Sequence, residues 1–259
     1  MALVDSFKKN GNWLFKYRGI IPVVIFFLSI PFLFQRSFLI EYAAQNSNFK
    51  IIIYGIAILI SLLGLFVRCY TIGTTPRGTS GRNTEKQVAK VLNTKGIYSI
   101  VRHPLYLGNY LMWAGILLST LHLTIFIVVS LIYWVYYERI MFAEESFLES
   151  QFGEEFRQWS LRVPPFIPAF RQFEKSEISF SLRTVLRREY AGVLAMTILY
   201  TLTDYFTAIQ MQLFNNISVD EFLWVRPSLY VLGFILIITL ILRTLKHHTK
   251  LLTRLDGRD

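Results

Sequence analysis

Arg102-His103-Pro104-Leu105-Tyr106-Leu107-Gly108-Asn109 gathers an arginine, a histidine and a tyrosine where a long hydrophobic run begins. A second polar group follows the next hydrophobic run: Glu144-Glu145, then Phe152-Gly153-Glu154-Glu155-Phe156, then Arg162-Val163-Pro164-Pro165. Ionisable side chains are costly beside hydrocarbon, so two such groups at the ends of apolar segments mark a candidate site. Pro104 suits the first turn of a helix, and that turn would offer backbone N–H groups and partial positive charge to an anion. Gly108 would then allow a bulky ligand to come close. His103 has a plainer reading as a structural hydrogen-bond partner at a membrane boundary. Glu144 and Glu145 are chain neighbours, which on a helix point in different directions and form no acid/base dyad on one face. One of them is expected to bind hydroxyls or an ammonium group, and the other to pair with a nearby arginine. A solvated helix end is the plainer alternative.

These residues must be carried by membrane elements. The chain has 259 residues, 53% of them hydrophobic and 16% aromatic, and a mean hydropathy of +0.42, too apolar for an ordinary soluble domain. A helix needs roughly 20 apolar residues to cross a bilayer. Candidate spans fall at about 19–39, 50–67, 105–120, 122–140, 189–211 and 228–245. The fold expected is an all-α, polytopic integral membrane helical bundle of about six transmembrane helices with a cytoplasmic pocket. Pro22 and Pro31 predict a kinked first span. The third and fourth spans, joined through Ser119–Leu123, predict a tight antiparallel hairpin. Leu148, Phe152, Phe156 and Trp159 recur at helical spacing and predict an interfacial amphipathic helix, which Pro164, Pro165 and Pro168 end. Residues 1–48 read as an N-terminal span and outer loop, 49–170 as the core, and 171–259 as an extension with two spans and a basic tail. Asp204, inside the fifth span, is a functional hint by default and pairs within the bundle in the plainer reading.

The net charge of +10 fits this topology without a nucleic-acid partner, since no basic-aromatic binding module is present. Arg36, Lys50 and Arg226 alone fall in outer loops; Arg68, Arg77, Arg82, Lys86, Arg139, Arg157, Arg171, Lys246, Arg254 and Arg258 are among those on or facing the other side. The positive-inside rule therefore places both termini and both motif groups in the cytoplasm. Lys8, Lys9, Lys16 and Arg18 precede the first apolar run with no small-residue cleavage pattern, so a retained span is expected. The loop Gly73–Asn83, rich in Gly, Thr and Arg, lacks phosphate-loop spacing and reads as a linker. One cysteine, Cys69, allows no internal disulfide, and no metal site is expected: His122 stands alone and His247-His248 lie in the tail. Nothing in the sequence sets an oligomeric state.

Thr94-x-Gly96-x-Tyr98, Arg102-His103-Pro104-x-Tyr106-x-Gly108, Glu144-Glu145 with Leu148, Phe152-Gly153 and Arg162-Val163-Pro164, in this order, resemble the membrane methyltransferases typified by isoprenylcysteine carboxyl methyltransferase and the phospholipid N-methyltransferases. The resemblance covers roughly residues 50–170. It implies S-adenosylmethionine as cofactor, held without a Rossmann domain. It implies that His103, Tyr106, Leu107 and Gly108 contact the cofactor, that Glu144 or Glu145 helps hold it, and that Arg102 and Arg162 face the methyl-transfer centre. The implied acceptor is a membrane lipid or lipidated molecule: a lipid phosphate, a phospholipid amine or a prenylated cysteine. The simplest relatives end soon after the Arg-Val-Pro segment, so the role of the last ninety or so residues stays open. Two rivals remain. Membrane sterol reductases carry a similar Arg-His-Pro-x-Tyr-x-Gly segment and use NADPH, but commonly have Asn and an acidic residue where Leu105 and Asn109 stand here. A membrane scaffold without catalysis would leave the polar groups unexplained.

Overall fold

The computed structural model describes residues 2–76, 87–215 and 226–252. Arg77, Arg82, Lys86, Arg254, Arg258 and most of the Gly73–Asn83 loop lie outside the described residues. The described chain is helical: α1 Leu3–Lys16, α2 Ile21–Leu33, α3 Phe38–Gln45, α4 Ser47–Thr74, α5 Pro104–Ser119, α6 Leu123–Phe152, α7 Glu154–Arg162, α8 Leu182–Asn215 and α9 Pro227–His248. Two short 3-10 turns and an isolated antiparallel bridge between Gly96 and Glu174 complete the described elements.

The all-α membrane architecture holds, with a different arrangement of spans. Four helices, α4, α6, α8 and α9, are long and apolar enough to cross a bilayer, and α1 with α2 would make a fifth across an 86° bend. The bend lies between Lys16 and Ile21, where Pro22 opens a new helix, and not at Pro31, which sits near the end of α2. The 16 residues of α5 reach about 24 Å, short of a full span, because Pro104 sets its start and a turn through Leu121 (φ 57°) its end. The 30 residues of α6 reach about 45 Å, so its last turns carry Glu144 and Glu145 beyond a core about 30 Å thick.

Small residues draw α4 and α5 together. A Cβ on Gly108 would meet the Gly64 carbonyl at 2.8 Å and the Arg68 Cγ at 2.6 Å. Membrane helices associate through such close backbone approach rather than through hydrophobic exclusion. Gly108 therefore serves helix packing, and it is not among the residues that line the cavity. At the other end of α6, Gly153 (φ 53°) breaks the chain into α7, so the predicted amphipathic helix is the end of one helix and the start of another. Its stripe is packing: Phe156, Trp159 and Val163 bury against Leu92, with Leu148, Phe152 and Tyr98 around them. The main core is aromatic, with Tyr106, Tyr133, Tyr136 and Tyr137 clustered between α5 and α6.

Asp204 pairs within the bundle, accepting from Arg226 Nε at 2.6 Å and from Ser228 Oγ at 2.8 Å, which ties α8 to the start of α9. His122 is buried against Gln210 of α8.

Candidate active site

The entry to α5 is pinned by the proline segment. The Arg102 N–H donates to the Pro164 carbonyl at 2.9 Å and the His103 N–H to the Pro165 carbonyl at 3.2 Å. Prolines have no N–H of their own, so this segment offers only carbonyls, and the motif backbone takes them. His103 occupies the N-cap of α5 without a side-chain cap bond, which leaves its ring to face α6.

There both glutamates meet it. His103 Nε2 lies 2.8 Å from Glu145 Oε1, and Nδ1 lies 3.5 Å from Glu144 Oε2, an ion-pair distance rather than a tight hydrogen bond. Arg102 Nη1 donates to Glu145 Oε2 at 2.7 Å, and the Tyr106 hydroxyl donates to Glu144 Oε1 at 2.7 Å. The chain Arg102–Glu145–His103–Glu144–Tyr106 is thus continuous. Adjacent helical glutamates diverge at Cβ, yet an imidazole has a nitrogen on each edge, and two long side chains can reach both. The two carboxylates thus flank one ring from opposite edges and form no dyad on one face, and the expected arginine partner, Arg102 with Glu145, is present. Burial of His103 (6% exposed) would by itself lower its pKa, and the hydrogen bonds and charges of Glu144 and Glu145 outweigh that and hold it above the usual histidine value. The Arg102 Nε is buried with no hydrogen-bond partner among the described residues.

This network borders a cavity of about 530 Å³, within the range of small-molecule sites. Tyr98, Phe147 and Trp159 line it near the 87–93 segment, and the Trp159 indole N–H is fixed on the Tyr98 carbonyl at 3.1 Å. A second buried cluster lines it further in. Arg68 of α4 donates to both carboxylate oxygens of Glu189 on α8, each at 2.8 Å, and also to Asn109 Oδ1 on α5.

The structure thus brings together Arg102, His103, Tyr106, Glu144 and Glu145. It leaves three expected residues apart. Leu107 packs on Ile97, Ile100 and Val101, and Gly108 packs on α4. Arg162 is exposed at the end of α7, its Nε donating to the Gln158 carbonyl at 3.4 Å. Sequence reasoning missed Arg68, Asn109 and Glu189. The signal was available for two of them, since an ionisable residue inside an apolar helix deserves a partner. Among the described residues no group of three His, Cys, Asp or Glu gathers as a metal site.

The residues present fit S-adenosylmethionine. Glu144 offers a carboxylate to a cationic ligand, the Arg102 Nε an open donor to an anionic group, and the Tyr98–Phe147–Trp159 wall an aromatic surface to a base. Residues 52–155 match the family described as phospholipid methyltransferase, which bears out the resemblance over that segment. A protein-S-isoprenylcysteine O-methyltransferase of Schizosaccharomyces pombe is 33% identical over 30% of this chain and 33% of its own length. The cobalt-zinc-cadmium resistance protein CzcN of Cupriavidus metallidurans is 38% identical over 30% of this chain and 35% of its own. The nickel-cobalt-cadmium resistance protein NccN of Alcaligenes xylosoxydans is 31% identical over 39% and 44%. The matched segment thus spans less than half the length of these relatives. No solved structure matches the chain significantly.

Proposed function

We propose that this protein, with a phospholipid methyltransferase pattern over residues 52–155, is an integral membrane methyltransferase that uses S-adenosylmethionine to methylate the polar head of a lipid or lipidated acceptor. The observation that carries the reading is the Arg102–Glu145–His103–Glu144–Tyr106 network, set on a cavity that becomes apolar as it runs between the helices. When bound, S-adenosylmethionine supplies an electrophilic methyl group on a sulfonium.

The chain's own residues then have separable roles. Glu144 holds the cationic part of the cofactor, and Tyr106 fixes that carboxylate by hydrogen bonding. His103, set between two carboxylates that raise its pKa, locks both glutamates to the start of α5. Arg102, restrained by Glu145, keeps its Nε donor for an anionic group of cofactor or acceptor. The aromatic wall and the buried helix faces exclude water, and alignment plus desolvation is most of what a methyl transfer needs. A carboxylate or phosphate acceptor is already nucleophilic; an amine would have to lose a proton first. The arginine motif favours the anionic class. Arg162 has no part in this arrangement. The basic loops support a cytoplasmic placing of both termini and of the network.

Calorimetric titration of the detergent-purified protein with S-adenosylhomocysteine, and in parallel with NADPH, tests the reading. Binding of the homocysteine ligand alone, weakened by Glu144→Gln, is the expected result and leads to a radiolabelled methyl-transfer screen of membrane lipids. Binding of NADPH alone would replace the reading with a reductase, and binding of neither by folded protein would favour a scaffold.

A further inference from the structure

The cavity has a wall that lies outside the family-matched segment. Glu189, Gly192, Met196 and Leu199 of α8 line it at spacings of three and four residues, so they share one helix face, with Ala195 beside them. Facing them are Met112, Trp113 and Ile116 of α5 and Pro22 and Val23 of α2. The polar end of this arm is set by the Arg68–Glu189 pair. Its far end is closed where Phe26, Ile116 and Leu199 pack together. Ten residues of α8 separate Glu189 from Leu199, a depth of about 15 Å.

Two small residues keep the arm open. A Cβ on Gly192 would meet nothing nearer than Glu189 Oε2 at 3.7 Å, so the space beyond it is free. Ala195 is both exposed and part of the lining, and Val23 of α2 is likewise 37% exposed while lining the cavity. The arm therefore has a mouth between α2 and α8, at the height of the membrane-crossing part of α8. Val88 and Val91 mark a separate exposed rim beside the aromatic wall.

We propose that the apolar arm seats a hydrocarbon chain of the acceptor, admitted between α2 and α8, and that Gly192 and Ala195 set its bore. This rests on the methyltransferase reading for the acceptor's identity, but the arm can be tested without turnover. The assignment gives the C-terminal extension a function: α8 selects the acceptor's tail, while α5 and α6 carry the cofactor network. The occupant is a hydrocarbon chain because the inner lining is Met112, Ile116 and Leu199, apolar side chains buried from the surrounding bilayer.

The experiment uses the full chain in phosphatidylcholine vesicles with hexadecanoic acid carrying a mid-chain diazirine. After irradiation, labelled positions are mapped by mass spectrometry, and S-adenosylhomocysteine affinity is measured on the same preparations. Met112 and Ile116 are 9% and 2% exposed, so label on them reports entry into the arm rather than contact with bulk lipid. The wild type is expected to label Met112 or Ile116 as well as the outer helix faces. Gly192→Phe and Ala195→Phe should each lose the internal label, keep the outer label, and bind S-adenosylhomocysteine as the wild type does. The pair of variants covers the case in which one fails to fold. Label confined to outer faces in the wild type, or internal label undiminished in both variants, overturns the proposal. Ligand affinity without internal label would remove the arm and keep the methyltransferase; internal label without that affinity would do the reverse.

Discussion

The bidentate pair between Arg68 and Glu189 is one of the joints that fasten α8 to the core, and a double-mutant cycle measures it. Both contacts are 2.8 Å, with side chains 20% and 6% exposed. Removing one member of a buried pair costs about 3–5 kcal/mol, because the other charge stays behind without its partner. Glu189→Ala leaves Arg68 with Asn109 and some contact with water, so its cost falls near the lower end, about 3 kcal/mol. Arg68→Ala strands a carboxylate in a nearly closed site, at a cost of similar size. The double variant removes both charges and avoids the second penalty. The two single losses should therefore exceed the double loss by about 2–3 kcal/mol, at the high end of coupling between touching residues. That is roughly a thirtyfold to 150-fold effect on the unfolding equilibrium. The assay is unfolding of wild type, both singles and the double in mixed micelles titrated with dodecyl sulfate, followed by tryptophan fluorescence. Additivity within about 0.5 kcal/mol would refute the pairing.

The His103 pKa is raised in the folded state, so its charged form contributes stability that is complete below about pH 6.5 and is lost as pH rises through the higher folded value. Stability of the wild type should thus fall with rising pH above neutrality more steeply than that of His103→Gln; the reverse order would contradict the charged imidazole. Gly108→Leu should destabilise the protein by at least about 1–3 kcal/mol through overpacking against Gly64 and Arg68, read as a lower thermal midpoint in detergent. A stable variant with only weaker cofactor binding would return Gly108 to the ligand site. Arg102→Ala should lower turnover on the acceptor that the lipid screen identifies, whereas Arg162→Ala should leave both S-adenosylhomocysteine affinity and turnover unchanged. Loss of turnover in Arg162→Ala would restore the arginine pair expected from the resemblance.

Several features were legible because they depend on chain-local physics. Hydropathy located the apolar helices, and Pro104 located the start of α5. The Leu148–Phe152–Phe156–Trp159 stripe showed a buried face even though it could not show the break at Gly153. Span counting went further than the helices do, since the segment at about 105–120 was counted as a span although 16 helical residues reach only about 24 Å. Arg162 stands close to the motif prolines in sequence, but the chain turns after α7, so Pro164 and Pro165 meet the motif backbone and the arginine side chain does not.

The amino-acid order by itself determined which segments are too apolar to remain in water and which ionisable residues are too costly to lie between them by chance. Those are local transfer free energies, fixed residue by residue. Tertiary structure decided which charges compensate one another. Glu144 and Glu145 diverge along their own helix and become a shared site only because the ring of His103 comes between them. Arg68 and Glu189 lie 121 positions apart and meet only because Gly64 and Gly108 let α4 and α5 close up while α8 packs alongside. Pair energies depend on distances of a few ångströms between remote segments, and no window of sequence contains those distances.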